Sequence, residues 1–194
     1  MLFPKTFGCA SNLARGIEMN LWTELKPGPK PPDQVFVVVE IPKGSMNKYE
    51  YNKEFGLFVL DRVLHSPFAY PGDYGFIPQT LGEDNDPLDC LMLVEQGTFP
   101  GCVVRTRPVA LLRVRDENGI DDKILCVPIG DPRYDEIKDL EDLPSHIPNL
   151  IAHFFQEYKK LEKKKFAKVI GWFGAQEAKK IIKDGIENFR VKRR

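Results

Sequence analysis

The sequence has no apolar run near the roughly 20 residues needed to cross a bilayer, so no membrane-spanning segment and no membrane partner are expected. It has no G-x-x-x-x-G-K-[S/T], which excludes a P-loop nucleotide mechanism, and no H-E-x-x-H. Histidine is scarce: His65, His146 and His153 are too few and too scattered to build a histidine-based centre. Cysteine is limited to Cys9, Cys90, Cys102 and Cys126, spaced 81, 12 and 24 apart, so neither a zinc ribbon nor a disulfide framework is expected. Cys90, Cys102 and Cys126 sit in apolar, strand-like surroundings where a buried, inert thiol is the expected state. With no Asn-x-Ser/Thr sequon, this cysteine usage points to a reducing cytoplasm. The first 18 residues lack the continuous apolar stretch of about 7–15 residues that marks a secretory signal, and read as a flexible extension ahead of one domain over residues 19–194. Net charge is also absent, with 28 Lys+Arg against 28 Asp+Glu, which argues against a nucleic-acid coat or a polybasic membrane binder.

That zero conceals a gradient. Residues 156–194 carry 13 basic and 5 acidic side chains, whereas residues 1–155 carry 15 basic and 23 acidic. Fifteen of those acids fall between Glu83 and Asp142, a concentration that invites a cation site. At 42% hydrophobic and 29% charged, the composition is that of a globular chain with a continuous core.

Strand signals dominate the first two thirds. Gln34–Ile41, Lys48–Tyr51, Leu57–Leu64, Asp89–Glu95, Val103–Arg115 and Lys123–Ile129 are β-branched or alternating runs. Asn52–Gly56 and Asp116–Asp122, the latter containing Asn118-Gly119, read as turns. Pro67–Pro78 is too broken by Pro and Gly for a helix and is expected to be a structured loop with short extended pieces. Ile147, Leu150, Ile151, Phe154, Phe155, Tyr158 and Leu161 then form one helical stripe, Phe166–Phe173 a closing strand, and Ala175–Phe189 a second helix with Ala178, Ile181, Ile182, Ile186 and Phe189 inward. The expected fold is mainly β with α: a small, mostly antiparallel closed barrel with added short strands and two C-terminal helices.

The sharpest chemical feature is Asp84-Asn85-Asp86-Pro87-Leu88-Asp89. Three carboxylates lie in six residues, and Pro87 fixes its own φ and biases Asp86 to an extended conformation. Clustered carboxylates raise one another's pKa unless cations or hydrogen bonds offset the repulsion, and their oxygens suit hard ions such as Mg²⁺. An EF-hand loop is excluded because Leu88 stands where an oxygen donor is required. A second acidic group, Asp116, Glu117, Asp121 and Asp122, flanks the Asn-Gly turn beside Lys123. Glu40 interrupts an apolar run and would be costly to bury unpartnered, and Lys48 and Glu50 share a strand face. Arg62, Tyr70, Tyr74, Tyr158 and Lys159 complete the polar set. Carboxylates interleaved with Lys, Arg and Tyr suit a metal-bridged polyanion, the metal neutralising phosphate while cationic side chains take the remaining charge.

These residues resemble the soluble (family I) inorganic pyrophosphatases, short prokaryotic type. Asp84-Asn85-Asp86-Pro87-Leu88-Asp89-Cys90 matches that family's signature. The similarity runs from about Trp22 to Phe189 through Val39-Glu40-Ile41-Pro42, Asn47-Lys48-Tyr49-Glu50, Leu60-Asp61-Arg62, Asp73-Tyr74-Gly75, Asp116 to Lys123 and Tyr158-Lys159. The resemblance implies a five-stranded OB-like barrel and hydrolysis of inorganic diphosphate with Mg²⁺, about three to four ions per site. It implies Asp84, Asp89, Asp116, Asp121 and Glu50 as metal ligands and Asp86 as the proton acceptor. Lys48, Arg62, Tyr74, Lys123, Tyr158 and Lys159 would bind substrate or product phosphate, with Glu40 and Tyr70 in support. It further implies a homo-oligomer, a hexamer in the short members. Gly72-Asp73 and Gln156-Glu157 depart from the family pattern, and Glu157 falls on a helix used for subunit contact in some members. The competing reading, an OB-like nucleic-acid-binding barrel, requires a net positive domain, whereas residues 1–155 are acidic.

Overall fold

The structure, a computed structural model, describes residues 19–193, so the expected N-terminal extension and Cys9 lie outside the described residues. Eight strands and two α-helices follow one another as β1 (Val35–Ile41), β2 (Asn47–Asn52), β3 (Leu57–Val63), β4 (Asp73–Phe76), β5 (Asp89–Met92), β6 (Val103–Asp116), β7 (Gly119–Pro128), α1 (His146–Glu157), β8 (Ala167–Gly174) and α2 (Ala175–Lys192). Strand order in the main sheet is β1-β4-β5-β7-β6-β8, and a further pairing of β1 with β6 closes the first five into a ring.

β6 makes that closure possible. Its 14 residues pair with β1 through Val103–Thr106 and with β8 through Ala110–Asp116, while β7 runs along its other edge. All pairings are antiparallel except β5 with β7, where Asp89 lies opposite Lys123 and Cys90 opposite Ile124. Closure leaves no bare edge around the ring.

Alternation along the strands sends neighbouring residues to two cores. Leu125 and Val127 of β7, with Leu112 and Val114 of β6, pack against Ile151, Phe154 and Phe155 of α1. Ile124, Cys126, Cys90 and Leu111 pack against Ala178, Ile182 and Ile186 of α2. Fully burying side chains of this size removes about 1.5–3 kcal/mol of apolar hydration cost each, so these two layers dominate the barrel's stability.

Two expectations are corrected and one is sharpened. Pro67–Pro78 does hold a short extended piece, as expected, but that piece is β4, a core strand buried at all four positions. Its polar look hid this: Asp73 is buried because its carboxylate accepts from the Lys43 N–H at 2.8 Å, the Thr98 N–H at 3.0 Å and the Thr98 hydroxyl at 2.6 Å. Gly75 is needed there, since a Cβ would lie 1.9 Å from the Val38 carbonyl oxygen of β1. In the helical stripe, Leu161 is 64% exposed because α1 stops at Glu157 and tight turns carry the chain on from there, and Leu150, inside α1, is 44% exposed. Cys90 and Cys126 are buried free thiols, but Cys102, just ahead of β6, is only half-buried.

Candidate active site

One open cleft of about 460 Å³ collects the polar side chains that the sequence singled out. The β2–β3 hairpin supplies Lys48, Glu50 and Arg62, β1 supplies Glu40, and β4 supplies Tyr74. The loop into β5 brings Asp84, Asp86 and Asp89; the β6–β7 hairpin brings Asp116, Asp121 and Lys123; the turn after α1 brings Tyr158 and Lys159. Tyr70 is the exception. It is buried behind the cleft, its ring 5.4 Å from Tyr74 and 4.9 Å from Phe154, where it props the tyrosine wall.

The acidic loop is held locally. Thr80 Oγ1 accepts from the Leu88 N–H at 2.9 Å and donates to the Ile77 carbonyl at 2.6 Å. Asp84 Oδ1 accepts from the Asp86 N–H at 3.0 Å, and the Gly82 N–H bonds the Asp86 carbonyl at 2.8 Å. Asn85 between them sits at φ 68°, a left-handed position that asparagine tolerates. From the far side Gly185 of α2 lets the helix approach the loop closely: a Cβ there would lie 2.7 Å from Leu88 Cδ1.

The Asn-Gly turn is tighter than expected, only Glu117 and Asn118 separating β6 from β7. Asp121 and Asp122 are therefore strand residues with opposite facings. Asp121 lines the cleft, whereas Asp122 binds Arg113 through a two-point contact at 2.9 and 2.8 Å. Lys123, buried, donates to both Asp89 and Asp121, and Asp89 also accepts from the Tyr74 hydroxyl. Lys159 donates to Asp116 at 2.8 Å, both side chains being buried. Lys48 pairs with Glu50 on the same strand face.

The electrostatics follow from crowding. Burial, then the Asp86 and Asp89 carboxylates, push Asp84 above the usual carboxylate range. Burial with Asp89 and Asp116 likewise raises Asp121 against the pull of Lys123. Burial, the largest single influence, would lift Asp116 too, but the hydrogen bonds from Lys159 and the Asn118 N–H, together with the charges of Lys159 and Lys123, outweigh it and hold the carboxyl below its ordinary value. Burial works against the Lys123 charge, yet Asp89 and Asp121 more than compensate and keep it cationic. Glu40 is raised to about 8, chiefly by burial; the Tyr51 backbone N–H, donating at 2.7 Å, opposes the rise.

Nine carboxylates line the cleft against six Lys and Arg side chains, so anionic donors remain in surplus when every cation is counted. That surplus of hard oxygen ligands fits Mg²⁺. Among the described residues no three His, Cys, Asp or Glu side chains are already gathered as one ion requires, since lysine ammonium groups stand between the carboxylates.

Two cleft contacts escaped the sequence reading. Lys53, placed in a turn by its surroundings, lines the cleft and pairs with Asp86 while lying 4.6 Å over the Trp22 ring. Glu162 is buried and accepts from Arg62 Nε at 3.0 Å. The available signal was its isolation, one acid amid Lys159, Lys160, Lys163, Lys164 and Lys165.

A closed ring of five strands sets carboxylates and Lys and Arg side chains facing one another across one cleft, a lining suited to a polyanion and to hard cations. The family model for inorganic pyrophosphatase matches residues 37–190, and the chain belongs to that family. An inorganic pyrophosphatase of Haloferax volcanii is 51% identical over 170 residues, covering 88% of this chain and 94% of that protein. One from Halobacterium salinarum is 52% identical over 163 residues, covering 84% and 92%. The crystal structure of inorganic pyrophosphatase from Thermus thermophilus superimposes with a TM-score of 0.86 at 45% identity, over 89% of this chain and 99% of that one. The type I enzyme of Toxoplasma gondii, 22% identical with a TM-score of 0.82, shares the fold.

Proposed function

We propose that this protein hydrolyses inorganic diphosphate to two phosphates with Mg²⁺ held by Glu50, Asp84, Asp89, Asp116 and Asp121. The observation that carries the reading is the single cleft in which those five carboxylates face Lys48, Arg62, Lys123 and Lys159. Bound there, Mg²⁺ supplies Lewis acidity, lowering the pKa of water and screening phosphate charge.

The chain's own residues do the rest. An Asp86 carboxylate oxygen takes the proton of the attacking water. As the water oxygen bonds to one phosphorus, the bridging P–O bond breaks and its electron pair leaves with the second phosphate. Lys48 and the forked guanidinium of Arg62 meet that developing charge; Lys123 and Lys159 hold the other phosphate, and the Tyr74 and Tyr158 hydroxyls orient oxygens. Glu40, reaching Tyr51 in β2, steadies the strand that carries Lys48 and Glu50. Tyr70 backs Tyr74.

Residues 19–194 act as one catalytic domain in this reading. A homo-oligomer, a hexamer by resemblance, is supported by exposed Leu57, Leu60 and Val63 on the outer hairpin strand and by Ile170 on β8. A reducing cytoplasm suits the free thiols of Cys90, Cys102 and Cys126. Among the described residues no helix is long and apolar enough to cross a membrane. The test is phosphate release from diphosphate with Mg²⁺ and again with excess chelator. Release that chelator abolishes is expected, and no release with Mg²⁺ present would sink the proposal.

A further inference from the structure

Arg62 must offer its fork to the cleft from a hairpin that is not part of the ring. β2 and β3 form a separate two-stranded sheet, and β3 is exposed at five of its seven positions. A long arginine on such a strand has many rotamers, and an untethered guanidinium would lose much of its freedom on each binding event. Glu162 removes that freedom in advance. After α1 the chain tightens through hydrogen bonds from Lys160 N–H to the Glu157 carbonyl at 3.0 Å and from Glu162 N–H to the Lys159 carbonyl at 2.9 Å. These turns bring Glu162, a hundred residues away in sequence, against Arg62, with Glu162 Oε1 accepting from Nε at 3.0 Å. Both side chains are sheltered, Glu162 at 5% and Arg62 at 18% exposure. Asp61 takes one Nη1 hydrogen, leaving the remaining edge of the guanidinium for an anion in the cleft.

The same turn carries Tyr158 and Lys159. Glu162 thus ties the hairpin's phosphate-binding arginine to the phosphate-binding pair at the end of α1, and Lys165, 3.4 Å from its other oxygen, closes the group.

We infer that Glu162 is a positioning residue that orients Arg62 for the leaving phosphate and sets the spacing between Arg62 and the Tyr158-Lys159 turn. This rests on the diphosphate reading above. A charge-assisted hydrogen bond inside a sheltered pair is strong enough for its loss to show clearly in substrate recognition.

The test is a double-mutant cycle on the Mg²⁺-loaded full chain, with KM and kcat for diphosphate measured separately. Glu162→Ala is expected to lower kcat/KM about 10–30-fold, mostly through KM. Glu162→Gln, which keeps an acceptor for Nε, is expected to stay within about threefold of the parent. In an Arg62→Ala background, Glu162→Ala should cost no more than about twofold further, since its target is gone. Glu162→Asp, which shortens the arm by one methylene, runs through the same cycle in case the alanine variant does not fold. The inference is overturned if Glu162→Ala equals the parent, if Glu162→Gln falls as far as Glu162→Ala, or if the loss has the same size with and without Arg62. A parent that releases no phosphate would instead defeat the diphosphate reading on which the inference stands.

Discussion

Replacing Glu40 by glutamine should stabilise the metal-free protein, and increasingly so as pH rises. Glu40 lies in β1 among buried valines, and its one defined partner is the Tyr51 N–H at 2.7 Å. Glutamine keeps that acceptor and the volume but carries no charge. Burial raises the Glu40 pKa from 4.5 to about 8, with Asp89 and Glu50 adding to the rise and Lys48 opposing it. The sign follows from proton counting. Between those two values the folded state holds a proton that the unfolded chain has released, so stability falls with pH by about 1.4 kcal/mol per unit. Below about 4.5 both states are protonated, and above about 8 both are ionised, so the profile is flat at each end. The full window is worth about 3–4 kcal/mol after allowing for the water that a half-buried carboxyl keeps. From pH 6 to pH 9 about 2–3 kcal/mol of that remains, or about 4–12 °C in Tm for a chain of this size. Thermal unfolding of parent and Glu40→Gln in excess chelator, at one protein concentration and at pH 6, 7, 8 and 9, reads it directly. The gap in Tm should widen with pH in favour of the variant. Parallel profiles would show that Glu40 ionises in the fold as it does in water, and the argument from burial would fail.

Other perturbations probe the remaining links. Asp86→Asn should reduce phosphate release by about 10²–10⁴-fold with the fold intact by circular dichroism, because the amide cannot take a proton; parental turnover would remove Asp86 as the acceptor. Lys123→Met leaves Asp89 and Asp121 facing each other without their shared cation, and should cost about 2–3 kcal/mol in urea unfolding under chelator. Saturating Mg²⁺ should recover most of that loss by binding only the folded state; an unchanged midpoint in chelator would contradict the pairing. Gly75→Ala places a methyl 1.9 Å from the Val38 carbonyl oxygen and should cost more than about 4 kcal/mol or abolish cooperative unfolding. A variant within about 1 kcal/mol of the parent would refute the close β1–β4 approach.

Much of the site could be read from residue order, for a physical reason. Asp84 and Asp86 lie on one short loop stiffened by Pro87 and Asp89 follows at the start of β5, so their proximity is local. Lys48 and Glu50 share a strand face at any register, and Tyr158 lies on the same helical stripe as Phe154 and Phe155 whatever that stripe packs against. The partners of these groups depend on the register of distant strands. The parallel pairing of β5 with β7 puts Lys123 between Asp89 and Asp121, and the turn after α1 puts Glu162 on Arg62. No spacing in the sequence encodes either contact.

The sequence by itself determined the class of fold, the two helices, the acidic loop and the residue types of a metal-assisted phosphate chemistry, because alternation, helical stripes and short motifs act over a few residues. Tertiary structure alone decided that Asp73-Tyr74-Gly75-Phe76 is a core strand, that Tyr70 stands behind the cleft rather than in it, and that Asp121 and Asp122 face opposite ways. Those outcomes turn on burial and on long-range hydrogen bonds such as those Asp73 accepts from Lys43 and Thr98. A polar residue looks the same in sequence whether its partner is water or a distant backbone N–H, and only closure of the ring settles which one it meets.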